Sequence, residues 1–166
     1  DRVAFVDERG QALSADRVIV LFAREALREG QAPVVYDQKC SRIVPETIRS
    51  LGGAPIREQS GHTYIKRTFI QQQAVYAGEL SGHHFFRAIQ GDDGLLASLF
   101  FARLLREAGQ PLSQLAADIP QYPITPEFRL PLDSGQIETV LAQLEQALAS
   151  EAALTFTDGL RLEFPY

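Results

Sequence analysis

Pro33-Val34-Val35-Tyr36-Asp37-Gln38-Lys39-Cys40-Ser41-Arg42 is the stretch that decides the fold. Five residues make a short apolar run, bounded before by Gly30 and after by polar residues, as in strands buried on both faces of a parallel sheet. A polar loop follows, and Ser41 then stands where a side chain caps the next helix, with Pro45 in its first turn. Strand, polar loop and helix in that order predict a βα unit whose loop lies at the carboxyl end of the strand, where α/β sheets hold ligands.

Outward from this unit the alternation continues. Upstream, Arg2 to Val6 reads as a strand closed by a turn at Asp7-Glu8-Arg9-Gly10, and Ser14 caps a helix with an apolar stripe from Val18 to Leu27. Downstream, the second helix runs to Leu51 and stops at Gly52-Gly53. Strands are predicted at Ala54 to Arg57, Ala74 to Ala77 and His83 to Ala88, with a helix of one to three turns from Thr63. Asp92-Asp93-Gly94 introduces the strongest helix, Leu95 to Ala108, with the two aspartates as its cap. The predicted fold class is α/β, a three-layer α/β/α sandwich with a mostly parallel sheet.

After Gly109 the character changes. Pro120, Pro123, Pro126 and Pro131 mark a linker, followed by an amphipathic helix, Gly135 to Ser150, and a hairpin pivoting at Asp158-Gly159. That tail reads as an incomplete α+β domain. A strand at each raw terminus predicts a chain cut at both ends; the alternative is a complete small domain with edge strands there.

The chain has 166 residues, 45% hydrophobic and 22% charged, enough for a real core. Sixteen Lys and Arg against twenty-one Asp and Glu give a net charge of −5, which argues against nucleic acid as a partner. The single Cys40 has no partner for an internal disulfide, and no signal peptide or long apolar span is visible, so the expected compartment is the cytoplasm and no membrane partner is expected.

Three polar segments follow predicted strands. Lys39 and Arg42 beside the helix start at Ser41 make a cradle for phosphate; the plain alternative is a capped helix with solvated basic residues. In Ser60-Gly61-His62-Thr63-Tyr64-Ile65-Lys66, His62 and Lys66 are four apart and share a helical face; the alternative is a surface loop. In Gly78-Glu79-Leu80-Ser81-Gly82-His83-His84, an extended chain puts Glu79 and Ser81 on one side, a carboxylate and a hydroxyl suited to neighbouring sugar hydroxyls, with His83 beside them to move a proton. A turn between strands is the alternative. Cys40 reads as buried at a strand end rather than as a nucleophile, and adjacent His83 and His84 alternate across a strand, which leaves too few ligands for zinc.

Together the segments resemble the α-D-phosphohexomutase superfamily, in its phosphomannomutase/phosphoglucomutase branch. Gly78-Glu79-Leu80-Ser81-Gly82-His83 is similar to the family's Gly-Glu-Met-Ser-Gly-His sugar loop, with Leu80 for Met. Asp37 to Arg42 resembles Asp-Val-Lys-Cys-Ser/Thr-Arg, Gly61 to Lys66 resembles Gly-His-…-Ile-Lys, and Asp92-Asp93-Gly94 resembles Asp-Asp-Gly before a long helix. Asp1-Arg2 looks like the end of the family's Asp-Gly-Asp-Xaa-Asp-Arg metal loop.

The resemblance implies residues 1–13 as the last strand of domain 2, 14–110 as sugar-binding domain 3, 111–130 as a linker and 131–166 as part of domain 4. It implies Mg²⁺ as cofactor, with Asp1 a remnant of the ligand set and Arg2 next to it, the phosphoserine lying outside this chain. The substrate would be a phosphorylated hexose, mannose or glucose 1- or 6-phosphate. Glu79 and Ser81 would hold its O3 and O4, and Lys39, Ser41, Arg42, His62, Lys66 and His83 would line its phosphate and reacting hydroxyl, with His83 and His62 in acid/base or orienting roles. The fragment alone would be inactive, monomeric and completed by the missing domains of its own chain. A phosphosugar-binding module without chemistry, and a structural α/β domain without ligand, are the competing readings.

Overall fold

A computed structural model describes residues 1–165. The chain divides into two compact units, Asp1–Tyr122 and Pro123–Tyr166. In the first, helix α1 (Ala15–Ala26) leads into strand β1 (Pro33–Asp37), then α2 (Ile43–Ser50), β2 (Ala54–Glu58) and α3 (His62–Gln71). There follow the short strands β3 (Tyr76–Gly78), β4 (His84–Phe86) and β5 (Gly91–Asp92), then α4 (Gly94–Ala108) and the single turn α5 (Leu112–Leu115).

The sheet has the order β2-β1-β3-β4-β5. β1 sits at its centre and pairs in parallel with both β2 and β3, while β4 and β5 extend the edge antiparallel. Side chains of β1 alternate between two layers. Val34 and Tyr36 enter the large core built with α1, α2 and α4, whereas Val35 joins Ile65, Phe69, Ala77 and Phe85 under α3. Helices on both faces of the sheet make the three-layer α/β/α sandwich expected from the alternation. Phe22 of α1 is the hub of the larger layer, touching the rings of Phe5, Tyr76, His84, Phe86 and Phe101. Burying one such side chain contributes about 1.5–3 kcal/mol.

Several local expectations change. Arg2 to Val6 is not a regular strand; it is fastened by two isolated antiparallel bridges, Arg2 to His83 and Val6 to Ala12. The sheet edge it meets is only a turn, so no ladder propagates. Ser14 occupies the α1 cap position, but its hydroxyl makes no cap hydrogen bond. Ser41 does not cap α2 with its side chain: the helix starts later, at Ile43, and the Ser41 amide donates to the Asp16 carboxylate instead. Asp93 alone caps α4, accepting from the Leu96 amide at 2.7 Å. Of residues 111–130, read as linker, Leu112, Ala116 and Ile119 are buried in the main core, and Leu112–Leu115 is a helical turn.

The second unit holds α6 (Ser134–Leu148) and the hairpin β6 (Ala153–Phe156) and β7 (Leu160–Glu163), which turns at Asp158-Gly159 as expected. Gly159 there has φ +78°, the left-handed conformation that suits glycine. Asp133 and Gln136 form a reciprocal capping box at the start of α6.

Candidate functional site

Because β1, β2 and β3 run parallel, the loops after Asp37, Glu58 and Gly78 emerge at the same edge of the sheet. One buried carboxylate ties the three together. Asp37 Oδ1 accepts from the Lys39 amide at 3.0 Å and the Ser60 hydroxyl at 2.6 Å, and Oδ2 accepts from the Leu80 amide at 3.3 Å. Asp37 was quoted in a motif but given no role by the sequence reading. The available signal was a charged residue ending an otherwise apolar strand, a position that demands hydrogen-bond partners.

The segment Gly78 to His84 is not extended. Gly82 N donates to Glu79 O and Glu79 N to His83 O, both at 3.0 Å, which makes a tight hairpin turn between β3 and β4. Gly82 has φ +90°, and a Cβ there would lie 2.7 Å from the Val3 carbonyl oxygen, so glycine is required twice over. The expected meeting of Glu79 and Ser81 is therefore achieved differently, by folding back on His83. Ser81 Oγ lies 2.8 Å from His83 Nδ1, and Glu79 Oε2 lies 3.5 Å from the same nitrogen. Glu79 is buried and its Oε2 has no hydrogen-bond partner.

His83 is buried, with Nε2 3.6 Å from the exposed Asp1 carboxylate and 3.9 Å from Asp92 Oδ2. Burial lowers its pKa from the ordinary histidine range; nearby Glu79 and Asp92 oppose that shift, and Arg2 and His62 add to it. His62 opens α3, and its ring centroid lies 5.4 Å from that of His83. Its Nε2 lies 2.7 Å from Asp92 Oδ1. Lys66, one turn along α3, holds its ammonium 3.8 Å from the place a Cβ on Gly91 would take, close to Asp92 in sequence. Asp92 was read as a helix cap; β5 turns it instead toward the two histidines, with its side chain only 8% exposed.

Lys39 and Arg42 are exposed at the first loop, and Ser41 is half-buried; the Lys39 amide donates to Asp37, which links this loop to the other two. Cys40 is buried, and burial followed by Asp16 and Asp37 pushes its thiol well up, so it stays protonated and supplies no nucleophile. His84 points to the opposite layer, as the alternation required, beside the Tyr76 hydroxyl at 2.7 Å.

Asp1, His83 and Asp92 each offer one ligand atom, all within 4.8 Å of one another. One nitrogen among two carboxylates is a poor set for Mg²⁺, which prefers oxygen throughout. The Asp1 carboxylate taken alone, 71% exposed, is the hard oxygen donor such an ion accepts.

The sequence matches the family Phosphoglucomutase/phosphomannomutase, alpha/beta/alpha domain III, over residues 14–122. It is 36% identical to a phosphoglucomutase of Neisseria gonorrhoeae over 99% of this chain and 37% of that one, so the chain spans little more than a third of such relatives. The crystal structure of a phosphoglucomutase/phosphomannomutase family protein from Burkholderia thailandensis superposes with a TM-score of 0.85 at 34% identity, covering 99% of this chain and 35% of that one. An Aspergillus fumigatus N-acetylphosphoglucosamine mutase, solved with GlcNAc-6P and magnesium, shares the fold at 15% identity and a TM-score of 0.57, over 96% of this chain and 42% of that one.

Proposed function

Since the chain belongs to the phosphoglucomutase/phosphomannomutase family, we propose that it forms the sugar-binding part of an enzyme interconverting hexose 1- and 6-phosphates. One observation carries the reading: Glu79, Ser81, His83 and His62 gather at the carboxyl edge of the parallel strands, on loops stitched by Asp37. A glycine-bounded turn presents a carboxylate with an unpartnered oxygen beside a hydroxyl, and adjacent sugar hydroxyls supply the matching donors and acceptors. Mannose and glucose share O3 and O4, so both fit such a pair. Lys39, Ser41, Arg42 and Lys66 supply cations and donors for the phosphate, and Arg2 is bridged to His83.

His83 is the acid/base group. Its Nδ1 is engaged by Ser81, while among the described residues Nε2 comes no nearer a carboxylate than 3.6 Å, and the lowered pKa keeps the ring neutral near pH 7. A neutral ring with an open Nε2 takes the proton of a sugar hydroxyl as that oxygen attacks phosphorus. His62 orients the same region. Mg²⁺ would be held by Asp1 and by oxygen donors outside this chain, and when bound it neutralises charge on the transferred phosphoryl group. The phosphoserine and the remaining ligands also lie outside it, so this chain alone is inactive. The whole enzyme acts as a cytoplasmic monomer without nucleic-acid or membrane partners; no helix among the described residues is long and apolar enough to cross a membrane.

The test uses the full-length protein with mannose 1-phosphate and glucose 1-phosphate. Conversion to the 6-phosphates is expected, falling by about 10²–10⁴ in kcat for His83→Ala. Tight sugar-phosphate binding without conversion would establish a non-catalytic module instead, and unchanged turnover in His83→Ala would remove the histidine from the chemistry.

A further inference from the structure

Two observations meet at Asp92. Its Oδ1 lies 2.7 Å from His62 Nε2, and its Oδ2, buried, has no hydrogen-bond partner. An ionised carboxylate only accepts hydrogen bonds, so at 2.7 Å the Nε2 of His62 must carry the proton. That leaves Nδ1 as the one ring nitrogen His62 has free for anything else.

We infer that Asp92 is a positioning residue that commits the Nε2–H of His62 to itself, so that His62 meets the phosphosugar through Nδ1 alone. The inference rests on the proposed function for its substrate, but its geometry stands apart from it. His62 is the first residue of α3, preceded by Gly61 at φ +130°, and its side chain is 42% exposed. A half-exposed ring at a helix start has little packing to fix its rotation: its aromatic neighbours are His83 and Phe85, with centroids 5.4 and 5.3 Å away. Asp92 is held by the sheet. It lies in β5, paired to Phe85 of β4, and the next residue, Asp93, anchors α4 through the Leu96 amide. A carboxylate held in a strand and hydrogen-bonded to one ring nitrogen is the arrangement that selects a histidine tautomer. The two adjacent aspartates divide the work: Asp93 caps the helix, and Asp92 holds the ring.

The test reads nitrogen protonation and activity separately, in full-length protein labelled with ¹⁵N-histidine, the His62 signal being assigned by its loss in His62→Gln. In the unaltered protein at neutral pH, His62 is expected to show Nε2 protonated. Asp92→Asn is expected to redistribute the proton between Nε2 and Nδ1 and to lower kcat/KM at least about tenfold, while Asp92→Glu restores part of both. A His62 found with Nδ1–H and bare Nε2 in the unaltered protein overturns the inference, and that measurement needs no variant to fold. So does an Asp92→Asn protein whose kcat/KM falls while the ring keeps its Nε2–H, because the role would then be structural only. If the unaltered protein lacks mutase activity yet shows the tautomer and its dependence on Asp92, the proposed function fails and the positioning of the ring survives.

Discussion

The two units use the same kinds of element to opposite effect. In the first, α1 buries Val18, Ile19, Val20, Leu21, Phe22 and Ala23 in an unbroken run, enclosed by the sheet and by α4. In the second, α6 is also amphipathic, yet none of the described residues from 123 onward is buried, and Ile137, Val140 and Leu144 remain exposed. Local chemistry, a capping box and an Asp-Gly turn, is sufficient to define the elements of the second unit. Within this chain, which spans little more than a third of its relatives' length, only the first unit has layers that close over an apolar stripe. The contrast extends to chemistry, because the groups that water would otherwise level, Asp37, Glu79, His83 and His84, are all buried in the first unit.

The largest expected effect tests that contrast directly. Phe22→Ala removes the ring on which five aromatic neighbours converge and is expected to destabilise the first unit by about 3–5 kcal/mol. Val140→Ala, on the exposed stripe of α6, is expected to change stability by no more than about 0.5 kcal/mol. Urea unfolding of the chain, followed by signals from each unit, measures both. Comparable losses would mean that α6 is packed as firmly as α1.

Acid sharpens the same comparison. His84 lies wholly within the larger core, and burial together with neighbouring His83 lowers its pKa to about 4. Between pH 6.5 and 4 the unfolded chain binds a proton that the folded chain refuses, so stability rises with pH in that window and is lost as pH falls through it. The loss attributable to His84 approaches about 3 kcal/mol below pH 4. Tyr76→Phe/His84→Phe removes the titrating ring without orphaning the Tyr76 hydroxyl, and most of this acid sensitivity should disappear with it. An unaltered slope from pH 6.5 to 4 would show that His84 is not the responsible group. All three histidines lie in the first unit, so this part of the acid response should be missing from the second.

What the sequence disclosed and what it hid divide along the same physical line. Pro33 to Asp37 was legible because a short apolar run between turn residues, ended by a charged residue, has one good solution, and α4 was legible from its aspartate start and Gly109 stop. That Glu79, Ser81, His62 and His83 belong to neighbouring polar loops was also legible. Their geometry was not: whether Gly78 to His84 runs extended or turns depends on β4 pairing back on β3, a contact no local pattern encodes. Asp92 and Asp93 are equally good caps in isolation, and only the pairing of β5 with β4 decides which one faces the histidines. Asp37 escaped for the same reason, since its partners Ser60 and Leu80 lie 23 and 43 residues away. Arg2 to Val6 has strand composition, but a strand needs an edge to pair with, and a turn supplies just one bridge.

The smallest effect separates the two units by the way each helix is held. Asp133 accepts from the Gln136 amide at 2.9 Å, and Gln136 Oε1 accepts from the Asp133 amide at 2.9 Å, whereas Asp93 caps α4 through the Leu96 amide alone. Removing either aspartate costs about 1 kcal/mol of helix stability. The consequence should differ, because α4 is anchored by buried Ala97, Phe101 and Leu104 while α6 has no buried residue to resist fraying. Asp133→Ala is therefore expected to raise amide exchange throughout the first turns of α6, with little change in the first unit. Asp93→Ala should instead lower the stability of the first unit as a whole and leave exchange within α4 uneven only at its first turn. Equal local fraying in the two helices would mean that the core beneath α4 contributes no more to holding it than the open face beneath α6.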